Sequence, residues 1–499
     1  MARSGDRSDR NASASGVVLA LAGAGVFLAA LDQTSVVTAL PEIINDIDLP
    51  VTDLDRGAWI ITGYLVGYTA AMPLVGRLSD TYGHRRVYVA SMLVFMLGSA
   101  LVAVGDSLGW LIGARIVQAV GGGAVVPVAI ALVSQNLPES RRGIAIGAIV
   151  AVAEAGAVLG PLYGGLIIEL LDWRWIFWSK LPVGGVIILL MAATVKDDRP
   201  SAGAVDYTGG LLLGASLVLL ALGLSGDALL GPGVGWQAGF LAAAGVSLLS
   251  FFWWEARATD PLLPLHLLRL VPLAAANGAN VLIGGALILA LVNIPLMTDT
   301  IMGKQPLEGG LRLLRLTMMI PIGAVLGGLL YQRFGYRVPM VTGLTLAALG
   351  FVLLGRWPLD VGDPRMSLEL MVGGLGFGLV VTPVTLAALN HVGVGQRATS
   401  AALVTVMRMV GMIAGLSALS SWGQDRFQSL VGRIPLPVQQ AGEADGLFEV
   451  RSAVYQDQAL NAALTFFHEV FFAAAIVCGV ALVGAFLMGR KGGEVVDPS

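Results

Sequence analysis

The 499-residue chain is poor in charge: Asp, Glu, Lys and Arg together make up 13% of it. Ordinary soluble domains carry about 25%, so this chain does not have the polar surface that water requires. It has one cysteine, Cys478. That excludes a disulfide framework and any cysteine-based metal cluster. Cys478 sits in an apolar run and reads as a small buried hydrophobe. The four histidines (His84, His266, His391, His468) lie far apart in sequence and form no local metal-ligand pattern. No Gly-x-x-x-x-Gly-Lys-Ser/Thr phosphate loop occurs, so nucleotide hydrolysis is not the expected energy source. A net charge of −3 gives no reason to expect nucleic acid.

What is abundant is apolar surface and glycine. The chain is 56% hydrophobic and contains 66 glycines, a composition that suits helices packed closely in lipid through small residues. A helix needs about 20 mostly apolar residues to cross the hydrocarbon core. By that measure spans are expected at 17–40, 56–76, 87–105, 109–134, 143–170, 174–194, 207–225 and 237–254. The second half adds 271–299, 310–331, 339–357, 367–391, 398–420 and 463–488. The fold class is therefore all-α and polytopic, with fourteen spans. The first is too long, and too interrupted by Asp32, for a signal peptide.

Seventeen of the thirty Lys and Arg residues fall in segments that share one side if the amino terminus is inside. They are Arg3, Arg7 and Arg10; Arg77, Arg85 and Arg86; Arg141 and Arg142; Lys196 and Arg199. After these come Arg257 and Arg269; Arg333 and Arg337; Arg397; Arg490 and Lys491. The positive-inside rule then places both termini in the cytoplasm. A repeat is visible as well. GRLSDTYGHRRV (Gly76–Val87) is echoed by GLLYQRFGYRVP (Gly328–Pro339), matching Gly83 with Gly335 and Arg85 with Arg337. Parallel repeats of this kind build two halves that rock about a midplane site. The expected organisation is a tail at 1–16, a six-helix half at 17–194, two linker helices with their flanking loops at 195–270, and a second half at 271–488. A tail at 489–499 closes it. The second half contains a long outer loop at 421–461, amphipathic enough that its flanking helices are expected to extend beyond the membrane.

Charges inside spans are costly, and by default they are functional candidates. Asp32 (first span), Arg115 (fourth), Glu154 (fifth) and Arg408 (thirteenth) stand out. At 1.5 Å per residue, Asp32, Glu154 and Arg408 fall near mid-bilayer. Desolvation there favours the neutral acid, which suits Asp32 and Glu154 to loading and releasing protons. A Glu154–Arg408 pair would join the two halves while the acid is ionised. The alternative is a static pair with a structural role, and for Arg115 simple helix anchoring. Gln118, Asn277, Asn280 and Asn293 are candidates for lining a cavity, although helix–helix hydrogen bonding explains them equally well.

Four segments resemble the major facilitator superfamily. Gly76–Arg86 is similar to its cytoplasmic Gly-x-x-x-Asp-x-x-Gly-x-Arg-Arg signature, with Gly76, Asp80, Gly83, Arg85 and Arg86 in register. Arg115–Gly123 (RIVQAVGGG) resembles the fourth-helix motif. GAVLGPLYGG, with Gly156, Gly160, Pro161, Gly164 and Gly165, resembles the fifth-helix motif of exporters. Leu31–Pro41 (LDQTSVVTALP) resembles the first-helix motif of the fourteen-helix drug:proton antiporters. Within the superfamily, WIITGYLVGYTAAMPLVGRLSD and the pairing of Glu154 with GPLYGG resemble the mycobacterial triacylglycerol-exporter family.

The resemblance implies alternating access driven by a proton gradient, with no cofactor. It also implies a signature loop that locks the halves, a weaker lock where Gln332 replaces Asp80, and a periplasmic lipoprotein as partner. The cargo would be lipid or another hydrophobic molecule; an amphipathic drug is the alternative, and a non-transporting sensor or scaffold a more distant one. The chain is expected to act as a monomer in the bacterial cytoplasmic membrane.

Overall fold

The computed structural model describes residues 2–50, 54–137, 139–195, 205–225, 236–259, 261–263, 265, 271–390, 397–432, 434–437 and 445–487. The tail at 489–499, parts of the linker loops and the tip of the outer loop lie outside these residues, as do Lys196, Arg199, Arg269, Arg490 and Lys491.

Among the described residues, fourteen helices are long and apolar enough to cross a membrane. We number their spanning stretches α1 (Gly16–Asp46), α2 (Trp59–Tyr82), α3 (His84–Ala103), α4 (Leu108–Asn136), α5 (Ala145–Leu170), α6 (Trp175–Thr194), α7 (Tyr207–Leu224) and α8 (Trp236–Glu255). The second half holds α9 (Leu273–Thr300), α10 (Pro306–Phe334), α11 (Arg337–Leu354), α12 (Arg365–Ala387), α13 (Leu403–Val431) and α14 (Leu447–Phe486). The protein is a multi-pass membrane protein. "Inner" below denotes the side that the Lys and Arg distribution assigns to the cytoplasm.

Several boundaries differ from the sequence expectation, each for a local reason. The segment read as a loop at Gly76–Arg86 is nearly all helix: α2 runs to Tyr82 and α3 begins at His84. Only Gly83 breaks the helix, at φ 98°, a conformation open to glycine and strained for other residues. Gly335, at φ 73°, does the same between α10 and α11. Two spans carry a one-residue break, α6 at Ser179 and α10 at Met318. In each a proline sits three residues on (Pro182 and Pro321), and its missing N–H leaves the carbonyl one turn back without its helical partner. In the outer loop, by contrast, the flanking helices extend as its amphipathic pattern led one to expect, running Arg397–Val431 and Asp445–Leu487.

Helix packing repeats between the halves. In the first, α1 packs on α5, α4 on both α2 and α3, and α6 on α1 and α3. In the second, α9 packs on α13, α12 on both α10 and α11, and α14 on α9 and α11. The contacts between halves obey the same relation, α5 against α10 and α13 against α2. Glycines allow these approaches. A Cβ on Gly123 would lie 2.4 Å from the Tyr68 carbonyl oxygen, and one on Gly376 2.3 Å from the Ala347 amide nitrogen. The linker helix α7 packs on both α2 and α13, and so covers one of the two seams between halves. Large apolar side chains such as Leu189, Leu211 and Leu249 stay exposed on α6, α7 and α8, as lipid-facing surfaces require.

Candidate functional site

Asp32 is fully buried on α1. Its carboxylate accepts from Arg115 Nη1 at 2.7 Å and from Gln118 Nε2 at 3.0 Å, both on α4. The Lys180 ammonium, at the start of the main segment of α6, also bonds to it. Arg115 Nη1 is 2.6 Å from Gln118 Oε1, and its guanidinium lies 4.0 Å from the Tyr64 ring centroid on α2. Four helices of the first half thus meet at one carboxylate. Two cations and one anion make the cluster formally +1, with Lys180 and Arg115 each 1% exposed.

Lys180 did not stand out in the sequence. It lies close to the outer end of α6, where a long side chain is ordinarily read as reaching for the interface. The signal was there, in a lysine directly before LPVGGVIILL, but its partner is 148 residues away.

Glu154 on α5 and Arg408 on α13 belong to different halves. Their charged atoms are 4.0 Å apart, with the side chains 38% and 23% exposed. This is a long, partly open ion pair at the join between halves, unlike the buried cluster at Asp32. Beside it, Gln33 Nε2 approaches Met409 Sδ at 3.5 Å.

The fifth-helix motif has two working faces. Gly156, Gly160 and Gly164 lie against α1: a Cβ on Gly156 would sit 2.7 Å from the Phe27 carbonyl oxygen, and one on Gly164 2.4 Å from that of Ser35. Thr34 Oγ1 donates to the Ala157 carbonyl at 2.9 Å on the same seam. Pro161 and Gly165 face α10 of the other half. There a Cβ on Gly310 would lie 2.4 Å from the Pro161 carbonyl oxygen, and one on Gly165 2.9 Å from Leu307 Cα. The contact lies on the outer half of both helices.

In the signature segment, Arg85 Nη1 donates to the carbonyls of Val195 (2.8 Å) and Ala192 (3.2 Å), at the inner end of α6. Its repeat partner Arg337 donates to the Phe486 carbonyl at the inner end of α14, also at 2.8 Å. Each arginine therefore satisfies carbonyls that a helix end leaves open. Asp80 is exposed and makes no ion pair among the described residues. A Cβ on Gly76 would lie 4.0 Å from Pro127 of α4, and Arg86 is exposed at the start of α3.

The four amides have separate fates. Gln118 belongs to the Asp32 cluster. Asn280 Nδ2 donates to the Val404 carbonyl of α13 at 2.5 Å, and Asn293 bonds back within its own helix to Leu289 at 2.9 Å. Asn277 is buried, and among the described residues neither of its side-chain polar atoms has a partner.

Two packed halves with buried and bridging charges define a membrane transporter rather than an enzyme. The comparisons agree. The Major Facilitator Superfamily model matches residues 22–210. A triacylglyceride transporter of Mycobacteroides abscessus is 36% identical over 90% of this chain and 90% of its own. A triacylglyceride transporter of Mycobacterium tuberculosis is 35% identical over 95% of each. A crystal structure of a bacterial homologue of the human lysosomal transporter Spinster, inward-facing and unoccupied, shares the fold with TM-score 0.65 at 16% identity, over 95% of this chain and 97% of its own. The chain belongs to the major facilitator superfamily.

Proposed function

We propose that the protein is a proton-coupled exporter that works by alternating access and moves triacylglycerol-like lipid out of the bacterial cytoplasmic membrane, with both termini cytoplasmic. The observation that carries the reading is the Glu154–Arg408 approach of 4.0 Å between halves. Charges on opposite halves attract only while the acid is ionised, and the pair's exposure gives protons and water access to it. Protonating Glu154 removes the attraction and frees the halves to move. Asp32 works with it from the buried cluster. Neutralising Asp32 strands two buried cations, so proton uptake there is tied to a rearrangement of Lys180 and Arg115.

Lipid as cargo is supported by relatives that carry that name along nearly the whole chain. The outer helical hairpin, with Leu447, Val450 and Val454 exposed, gives a hydrophobic molecule an apolar surface beyond the bilayer. In this reading a periplasmic lipoprotein takes the lipid from that hairpin, and the transporter itself acts as a monomer driven by the proton gradient alone. The signature segment acts as the inner lock, with Asp80 acquiring its partner in the opposite state.

The test is release of labelled triacylglycerol from proteoliposomes under an imposed pH gradient. Glu154→Gln and Asp32→Asn should each lower the rate at least about tenfold, the effect of about 1.4 kcal/mol on a barrier. Gradient-independent release, or full rates in both variants at equal protein level, would overturn the coupling. Release of amphipathic dyes with no release of lipid would overturn the cargo.

A further inference from the structure

One cavity lies within the first half and not between the halves. It measures about 710 Å³ and is lined by α1, α5 and α6. Its apolar wall includes Leu19, Phe27, Leu31, Ile149, Val152 and Val183. Leu19 and Leu31 are twelve residues apart, so the groove runs about 18 Å along α1. That is close to one leaflet's share of a hydrocarbon core about 30 Å thick. Val183 on the groove's α6 side is 50% exposed, so the groove is open along that helix.

One end of the groove is polar. Tyr163 and Ser179 line it and hydrogen-bond to each other, and Lys180 lines it beside them. The ammonium of Lys180 has three donors, and among the described residues its one hydrogen bond goes to Asp32. The cluster behind it carries two cations against one anion. A plain alkyl end placed there would leave buried donors without acceptors, which is unfavourable. A carboxylate supplies acceptors and brings the cluster to charge balance.

We propose that this groove binds a fatty-acid anion, with its acyl chain along α1 and α5 and its carboxylate on Lys180. The groove lies within the first half, and the proposal stands whether or not the exported cargo is a glyceride.

The test uses the purified full-length protein and a diazirine-bearing palmitate. Mass-spectrometric mapping should find the label within residues 19–31 and 148–152. Val152→Trp fills the groove and should reduce that label about tenfold at an unchanged melting temperature; Ala148→Leu serves if the tryptophan variant fails to fold. Unlabelled palmitate should compete, while hexadecanol and triolein should compete about tenfold less well. Label found elsewhere, or undiminished in a folded groove-filling variant, overturns the site. Equal competition by hexadecanol or triolein overturns the carboxylate. Lipid release is measured on the same variants: loss of palmitate labelling with normal proton-dependent release refutes neither Glu154 nor Asp32, and loss of release with normal labelling leaves the groove intact.

Discussion

Asp32 faces two cations, so the effect of a substitution there depends on which charge is removed. Asp32→Asn leaves Arg115 and Lys180 buried without a counter-charge. Removing one partner of a buried pair typically costs about 3–5 kcal/mol. Lys180→Met leaves one anion against one cation and fills the space with an apolar chain, so its cost should be well below that. The expected order of melting temperatures in detergent is wild type, then Lys180→Met, with Asp32→Asn lowest. Equal losses would mean that Lys180 is as necessary to the cluster as the acid. Glu154 should behave differently. At 38% exposed and 4.0 Å from its partner, it contributes about 0–1 kcal/mol to stability, so Glu154→Gln should melt like wild type while losing transport. This difference between the two acids was not legible in the sequence. Both are lone carboxylates in apolar runs, and their depth can be counted, but their partners sit on helices distant in sequence.

At the level of helices, the glycines of α5 separate cleanly by what they touch. A side chain at Gly160 would collide with the Leu31 carbonyl oxygen, which lies 2.9 Å from the Cβ position, while nothing lies within 4 Å of the same position on Gly147. Gly160→Leu should therefore pry α1 from α5 and cost about 1–3 kcal/mol through strain. Gly147→Leu projects into open space and should lie within about 0.5 kcal/mol of wild type. Comparable losses in both would show that α5 tolerates or resists bulk uniformly, against the two-faced packing. The sequence indicated that these glycines pack a helix; it did not indicate which. Gly156, Gly160 and Gly164 turn to α1, while Pro161 and Gly165 turn to α10. A single motif therefore cements one half internally and meets the other half on its second face. Helix ends were the least legible feature. Polar residues such as Arg77, Ser79 and Asp80 suggested a loop, yet outside the hydrocarbon core a helix can continue until a residue such as Gly83 turns it.

For the whole molecule, the fourteen spans and the two related halves were legible because apolar length and repeated Gly-x-Arg turns are local signals. The placement of the linker helices was not, since α7 carries no charge pattern that would show it packing on both α2 and α13. Its position bears on where the proposed lipid cargo leaves. With one seam covered by α7, the α5–α10 seam is an open contact at which the halves can part. There Gly165 and Leu307 meet on the outer side, a Cβ on the glycine lying 2.9 Å from Leu307 Cα. Cysteines at these two positions would be in contact, and the backbone must give by a few tenths of an ångström to admit the Cβ at 165 before a disulfide, with its Cβ atoms about 3.5–4.5 Å apart, can close. The native Cys478 is buried and should not compete for the bond. Oxidising Gly165→Cys/Leu307→Cys in proteoliposomes should hold the outer contact closed and stop lipid release, and reduction should restore it. If the cross-link forms and release continues at the wild-type rate, the outer contact between α5 and α10 does not open during transport, and the cargo leaves by another route.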